Sequence, residues 1–263
     1  MGLMDWMDVA RGVVKSVQRV QDQVGPLERM AIQAMGSPSS KNLDDNLLTY
    51  LLALAAFDSY TLSGNCRGSL TLMITQFQNL NGSNMQNKLQ FGIYEISEGR
   101  YSGKKILAYR GTDVTGLVTL LQDVSLALPS LSYLGQPIRE AISCAVEDAL
   151  KQKPDFICGH SLGGVIAECV CSETGIPGAS FNAPGPWSIL PIHNLLTGDK
   201  YDGVKFEVHL TRNDPVSLFG GFLGPECTHV GRPIWHSGFG SESDNVIANH
   251  KMNLMLSELE KGR

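Results

Sequence analysis

Gly159-His160-Ser161-Leu162-Gly163 sets a serine between two glycines in the order G-x-S-x-G. Five residues alone carry little, since such a pattern arises by chance. The flanks give it meaning. Asp155-Phe156-Ile157-Cys158 reads as a short buried strand, and Gly163-Gly164-Val165-Ile166-Ala167 as the apolar start of a helix. Strand, sharp turn and helix are the setting of a nucleophile elbow, which lifts a serine hydroxyl clear of the backbone. The helix N-terminus behind it favours developing negative charge. The N–H of Leu162, the residue after the serine, is the expected first oxyanion donor. The plainer alternative is a serine that merely caps a helix at a glycine-rich turn.

A serine nucleophile needs a base, and the base needs an acid to orient it. In the chain order serine, acid, histidine, three aspartates qualify: Asp199, Asp202 and Asp214. Asp199 and Asp202 adjoin Gly198 and Gly203 and read as turn residues. Asp214 follows a strand at 206–210 and precedes Pro215. That is the carboxyl end of a strand, where α/β sites collect, so Asp214 is the preferred acid. Six histidines compete for the base. His160 lies inside the turn, with its side chain expected to point away from that of Ser161. His193 and His209 precede the acid. His229 reads as a satisfied structural residue in a short strand. His236 sits in a flexible loop able to reach the site, and His250 in the segment that closes the chain. Both remain open on residue type alone.

The elements that must carry these residues follow from periodicity. Helices are expected from Asn42 to about Asp58, at 117–126, 138–151 and 161–171, and at 243–260. Strands are expected at 70–77, 89–96, 105–109, 155–158, 179–182 and 206–210, with a hairpin turn at 99–103. From residue 105 onward strands alternate with helices, which predicts an α/β fold with a mostly parallel central sheet flanked by helices. Residues 1–40 stand apart as an N-terminal helical extension. Trp6, Val9, Val13, Val17, Val20 and Val24 form one helical face, a short helix spans 27–35, and 36–40 is a turn-rich linker. That face either packs on the main domain, 41–263, or docks a partner.

Composition excludes several classes. The 263 residues hold 21 Lys and Arg against 26 Asp and Glu, a net charge of −5, which gives no basic face for nucleic acid. Charged residues are 18% of the chain, below the usual level of about 25%. No apolar run reaches the roughly 18 residues of a membrane span. Asp5, Asp8, Arg11 and Lys15 interrupt any signal-peptide core, and Trp6 stands where myristoylation needs Ser or Thr. A cytoplasmic protein as synthesised is expected, with any export running through a signal-peptide-independent secretion system. The six cysteines match no zinc or redox spacing and read as free thiols; neither metal nor cofactor is called for.

The elbow has company. Gly159-His160-Ser161-Leu162-Gly163-Gly164 resembles the nucleophile turn of class 3 lipases, the fungal-lipase-like branch of the α/β hydrolases. Ile106-Leu107-Ala108-Tyr109-Arg110-Gly111-Thr112-Asp113 is similar to that family's strand ending in Arg-Gly-Thr. Ser180-Phe181-Asn182-Ala183-Pro184-Gly185 resembles its turn after the next strand, Arg212-Asn213-Asp214-Pro215-Val216 its acid-bearing turn, and Asn249-His250-Lys251-Met252 the opening of its last helix. The matches occur in family order over about 45–260, and their variants look more like bacterial members than fungal ones. Residues 1–40 have no counterpart. The resemblance implies an α/β-hydrolase fold and a Ser161–Asp214–His250 triad. It also implies a second oxyanion donor at Thr112, with bracing roles for Arg110 and Asp123.

The substrate class follows from a stretch where the family places its lid. Residues 114–134 carry ten leucines and valines and a single charge, Asp123. A second apolar loop, 216–223, holds Phe219 and Phe222 between glycines. Both suit the ester of a lipid and transient contact with a membrane surface. A lipase or phospholipase A is expected. The other readings are a soluble short-chain carboxylesterase and a non-catalytic α/β-hydrolase interaction module. Some bacterial relatives in the family are injected toxins, which adds a lipolytic effector with a cognate inhibitor or immunity protein as a further expectation.

Overall fold

A computed structural model describes residues 43, 45–62, 70–79, 88–111, 135–186, 205–214, 216–217, 229–231, 233–238 and 246–261. The N-terminal extension, Thr112, Asp123, Asp199, Asp202, His193, the whole of 114–134 and 218–223 lie outside them.

Seven strands form one sheet in sequential order. They are β1 (Leu70–Asn79), β2 (Lys88–Ile96), β3 (Lys105–Tyr109), β4 (Phe156–His160), β5 (Gly178–Phe181), β6 (Phe206–Thr211) and β7 (Pro233–His236). β1, β2 and β3 pair antiparallel, and β3 through β7 pair parallel. Among the described residues four helices flank the sheet: α1 (Asn46–Asp58), α2 (Gly135–Gln152), α3 (Leu162–Thr174) and α4 (Met252–Lys261). This is the mostly parallel sheet with flanking helices that the alternating pattern predicts.

Side chains alternate across the strands, so each strand feeds two cores. Ile106, Ala108, Cys158, Ala179 and Phe181 face α1 and α4 on one side. Leu107, Tyr109, Ile157, Phe206, Val208 and Leu210 face α2 and α3 on the other. α1 is apolar all round, and ten of its residues are buried, so it is a core helix rather than a surface one. Asp45 caps it, accepting from the N–H groups of Leu47 (3.0 Å) and Leu48 (3.4 Å). α3 ends at Gly175, whose left-handed backbone closes the helix.

Three expectations change. His236 is not in a flexible loop: it ends β7, paired in register with Thr211. Residues 229–231 form a bend instead of a strand, because His229 and Val230 are drawn to the side chain of Glu168. The closing helix is two pieces, a 3-10 turn at Val246–His250 and then α4. Of the cysteines, Cys144, Cys158, Cys169 and Cys171 are free thiols, and Cys144 is only half-buried. No helix among the described residues is long and apolar enough to cross a membrane.

Glu168, fully buried on α3, is the polar anchor of the second core. Its carboxylate accepts from Ser180 Oγ–H on β5 (2.8 Å), from His229 Nδ1 (2.9 and 3.0 Å) and from the Val230 N–H (3.1 Å). Removing one partner of such a cluster strands the rest without water. Glu168→Ala is therefore expected to destabilise the protein by about 3–5 kcal/mol. Chemical denaturation measures this, and a loss below about 1 kcal/mol would show that the cluster contributes little.

Candidate active site

The parallel strands deliver the chemistry-bearing residues to one edge, their carboxyl ends. β3 runs into Arg110 and Gly111, β4 into Ser161, β5 into Asn182 and β6 into Asp214.

Ser161 occupies the turn between β4 and α3 with φ 56° and ψ −129°. Positive φ is rare outside glycine and costs of order 1–3 kcal/mol, so the surroundings must impose it. They do so through the two glycines of the motif. A Cβ on Gly159 would overlap the backbone of Gly163, and a Cβ on Gly163 would overlap the carbonyl of Tyr109. A Cβ on Gly164 would meet that of Ala183 at 2.7 Å. Strand and helix thus cross with no side chain between them, and Ser161 is the corner. Its N–H donates to the Phe181 carbonyl of β5 at 3.0 Å. Its carbonyl accepts from the N–H groups of Gly164 (2.9 Å) and Val165 (3.2 Å), the first bonds of α3. The Leu162 N–H belongs to the first turn, whose amides have no partner inside the helix. The Ser161 side chain is buried and its hydroxyl has no hydrogen-bond partner among the described residues.

Asp214 and His250 meet directly. His250 Nδ1 lies 3.1 Å from Asp214 Oδ1 and 3.0 Å from Oδ2. A carboxylate only accepts, so Nδ1 carries the hydrogen and Nε2 is left as the base. Asp214 is fully buried and its other lone pairs are used as well. The Val216 N–H donates to Oδ1 at 2.9 Å, and the Ser217 hydroxyl donates to Oδ2. The acid is held from its own turn and from the histidine together.

Two asparagines hold the loops in place. Asn182, with φ 46°, stands at the end of β5. Its Nδ2 donates to the Asn249 carbonyl at 2.9 Å, and its Oδ1 accepts from the Thr211 N–H at 2.8 Å. Asn249 Nδ2 donates to the Asn213 carbonyl at 3.2 Å. The turn bearing the acid and the turn bearing the base are thereby tied to each other and to β5. Sequence reasoning missed both asparagines and Ser217 as site-builders. For Asn182 the available signal was residue type after a strand, since asparagine tolerates the left-handed backbone found there better than most residues.

The remaining candidates are placed elsewhere. His229 is held by Glu168. His236 Nε2 lies 2.8 Å from His209 Nδ1, and His236 Nδ1 faces Glu258 at 3.3 Å. His209 Nε2 in turn lies 3.0 Å from Glu207. His236 is thus tied into a chain of its own, and the histidine on Asp214 is His250. Arg110 bonds Gln90 of β2 through both its N–H and its guanidinium, and the guanidinium lies 5.8 Å above the Tyr60 ring. Among the described residues no cluster of His, Cys, Asp or Glu could hold a metal ion.

The chain matches no protein-family model and no curated protein.

The Glu207–His209–His236–Glu258 chain gives stability a pH dependence of its own. Burial and the charge of His209 push His236 down to about 4, against the pull of Glu207. An unfolded histidine takes its proton near pH 6.5. Between those values the unfolded chain binds more protons, so stability falls as pH falls from about 6.5 towards 4. His236→Gln is expected to make that decline shallower by up to about 3 kcal/mol. Denaturation at stepped pH measures it; parallel curves for the two proteins would refute the assignment.

Proposed function

We propose that the protein is a serine hydrolase of carboxylic esters, built on an α/β-hydrolase fold of the class 3 lipase type. The triad is Ser161, His250 and Asp214. One observation carries the proposal: the buried Asp214 carboxylate sits against His250 Nδ1 at 3.0–3.1 Å, at the same sheet edge as a serine at a strand–helix corner. Capping alone does not account for Ser161, because its side chain makes no cap hydrogen bond.

The chemistry follows from the donors and acceptors. His250 Nε2 takes the Ser161 hydroxyl proton as Oγ attacks the ester carbonyl carbon. Among the described residues Oγ has no partner, so this step needs serine and imidazole to close to hydrogen-bond reach, as such pairs commonly do once substrate binds. The tetrahedral oxyanion is received by the Leu162 N–H and by Thr112, which the family resemblance supplies and which lies outside the described residues. Asp214 stabilises the imidazolium. His250 then gives the proton to the leaving alcohol oxygen, and the acyl group stays on Ser161. Water attacks the acyl-enzyme by the same route and releases the acid.

The acyl group is proposed to be a fatty acid and the substrate a lipid, triacylglycerol or phospholipid. The support is the apolar, nearly uncharged stretch at 114–134 together with Phe219 and Phe222. Transient contact with a membrane surface goes with that substrate. The mechanism calls for no cofactor.

A panel of lipid and soluble esters tests this reading. The chain is expected to hydrolyse long-chain esters with activation at an interface, and a fluorophosphonate is expected to label Ser161. Ser161→Ala and His250→Ala should each lose about 10⁴–10⁶ in turnover. His236→Ala should stay within about tenfold of the unaltered chain, as a substitution away from the reacting atoms. Preference for short soluble esters would replace the lipid substrate with a small one. No labelling of Ser161 would make the fold a non-catalytic interaction module.

A further inference from the structure

His160 is the residue inside the elbow to which the mechanism gives no task, and it is nearly fully buried. Its Nε2 lies 2.6 Å from the main-chain carbonyl oxygen of His250. Its Nδ1 lies 2.7 Å from the hydroxyl of Tyr60. The two imidazole rings lie 4.6 Å apart, tilted by 39°.

These contacts select one protonation state. A carbonyl only accepts, so Nε2 carries a hydrogen. Nδ1 of the neutral ring is then an acceptor, and the Tyr60 hydroxyl donates to it. Burial, and then the nearness of His250, hold His160 well below the ordinary histidine range, which agrees with a neutral ring. A neutral neighbour matters here. His250 must become an imidazolium in the proposed cycle, and a charged ring beside it would oppose that.

The contacts also select a place. Asn182 at the end of β5 holds the carbonyl of Asn249, and His160 at the end of β4 holds the carbonyl of His250. Two consecutive carbonyls are gripped by side chains from two adjacent strands. Tyr60 reaches His160 because residue 111 is glycine: a Cβ there would collide with the Tyr60 hydroxyl and with the His160 carbonyl. The Arg110 guanidinium lies over the tyrosine ring.

We propose that Tyr60 and His160 are positioning residues that hold the backbone of His250, so that its ring keeps station between Asp214 and Ser161. The inference rests on the Ser161–His250–Asp214 reading. It assigns a task to the variable residue of the G-x-S-x-G motif and to a tyrosine outside every motif. Neither residue touches substrate. Each acts through His250.

The test uses the full chain and three variants, Tyr60→Phe, His160→Phe and His160→Gln. Nitrogen-15 NMR of the histidines reads the tautomer of His160 and the Nδ1–H signal of His250 without any substrate. His160 is expected as the neutral Nε2–H form at neutral pH. The His250 signal should shift or broaden in Tyr60→Phe and in His160→Phe. On an ester, Tyr60→Phe should lower kcat about tenfold, as loss of one hydrogen bond does. His160→Phe should lower it about 100-fold, as small misplacement of a catalytic group does, with KM unchanged. His160→Gln keeps an amide N–H for the carbonyl and should recover to within about threefold of the unaltered chain. If His160→Phe fails to fold, Tyr60→Phe and the tautomer still decide.

The proposal is overturned if His160 is a cation or the Nδ1–H form. It is overturned equally if the phenylalanine variants keep kcat within twofold and leave the His250 signal in place. An inactive unaltered chain that still shows the coupling would sink the triad reading and leave the positioning role standing. An active chain without the coupling would do the reverse.

Discussion

The constraint on which the sheet edge depends is the crossing of β4 and α3, where Gly159 and Gly163 leave no room for a side chain between strand and helix. Everything at the sheet edge depends on it. The crossing makes the turn so tight that its one corner residue, Ser161, takes a positive φ. It also fixes which way the neighbours face. Ser161 turns its N–H to β5 and its carbonyl into the first turn of α3, while the His160 ring goes to Tyr60 and the backbone of His250. A looser crossing would free the corner and every contact made from it.

A second principle governs the loops. Asp214 lies beyond the end of β6 and His250 closes a 3-10 turn, where the ladder no longer supplies partners. Side chains take over. Asn182, Asn249, Ser217 and His160 each bond a backbone group or carboxylate in those turns. The two faces of the sheet repeat the pattern with buried carboxylates. Glu168 holds the 229–231 bend on one face. Glu207 accepts from Thr49 of α1 at 2.6 Å and from the Leu43 N–H at 2.9 Å on the other. A carboxylate has about four lone-pair sites, so one buried side chain can tie three elements together provided all its sites are filled.

Much of this was legible in the residues, for identifiable reasons. The strands and α1 show because their apolar runs are bounded by turn residues, and the elbow shows because glycine at 159 and 163 has a steric cause. Asp214 shows because Pro215 and a preceding strand mark a strand end. β7 did not show. Pro-Ile-Trp-His is short, begins with a residue that cannot donate to a ladder, and ends in a histidine, so nothing in its pattern separates it from a loop. The partners of His160 could not show either. Tyr60 is 100 residues away and His250 is 90, and only the sheet order brings them together. Local pattern reports the elements; contacts between strand ends depend on topology.

The costs in the structure are unevenly spread, and their location is informative. Ser161 combines a positive φ with a buried hydroxyl that has no partner among the described residues. Asn182 and Asn213 add two more left-handed residues, and burial holds His160 well below the ordinary histidine range. These stand at the carboxyl edge of β4, β5 and β6, while the other two left-handed residues among the described ones, Leu62 and Lys153, lie in turns elsewhere. In the body of the sheet the main buried carboxylates, Glu168 and Glu207, are each satisfied several times over. A stable fold has no need to gather strain at one edge. A site that must hold a reactive group in a defined pose does, because rigidity there is obtained by surroundings that over-determine unfavourable local states. Three of the five left-handed residues other than glycine among the described residues therefore lie at the same edge as the Ser161–His250–Asp214 geometry, an observation that rests on no motif.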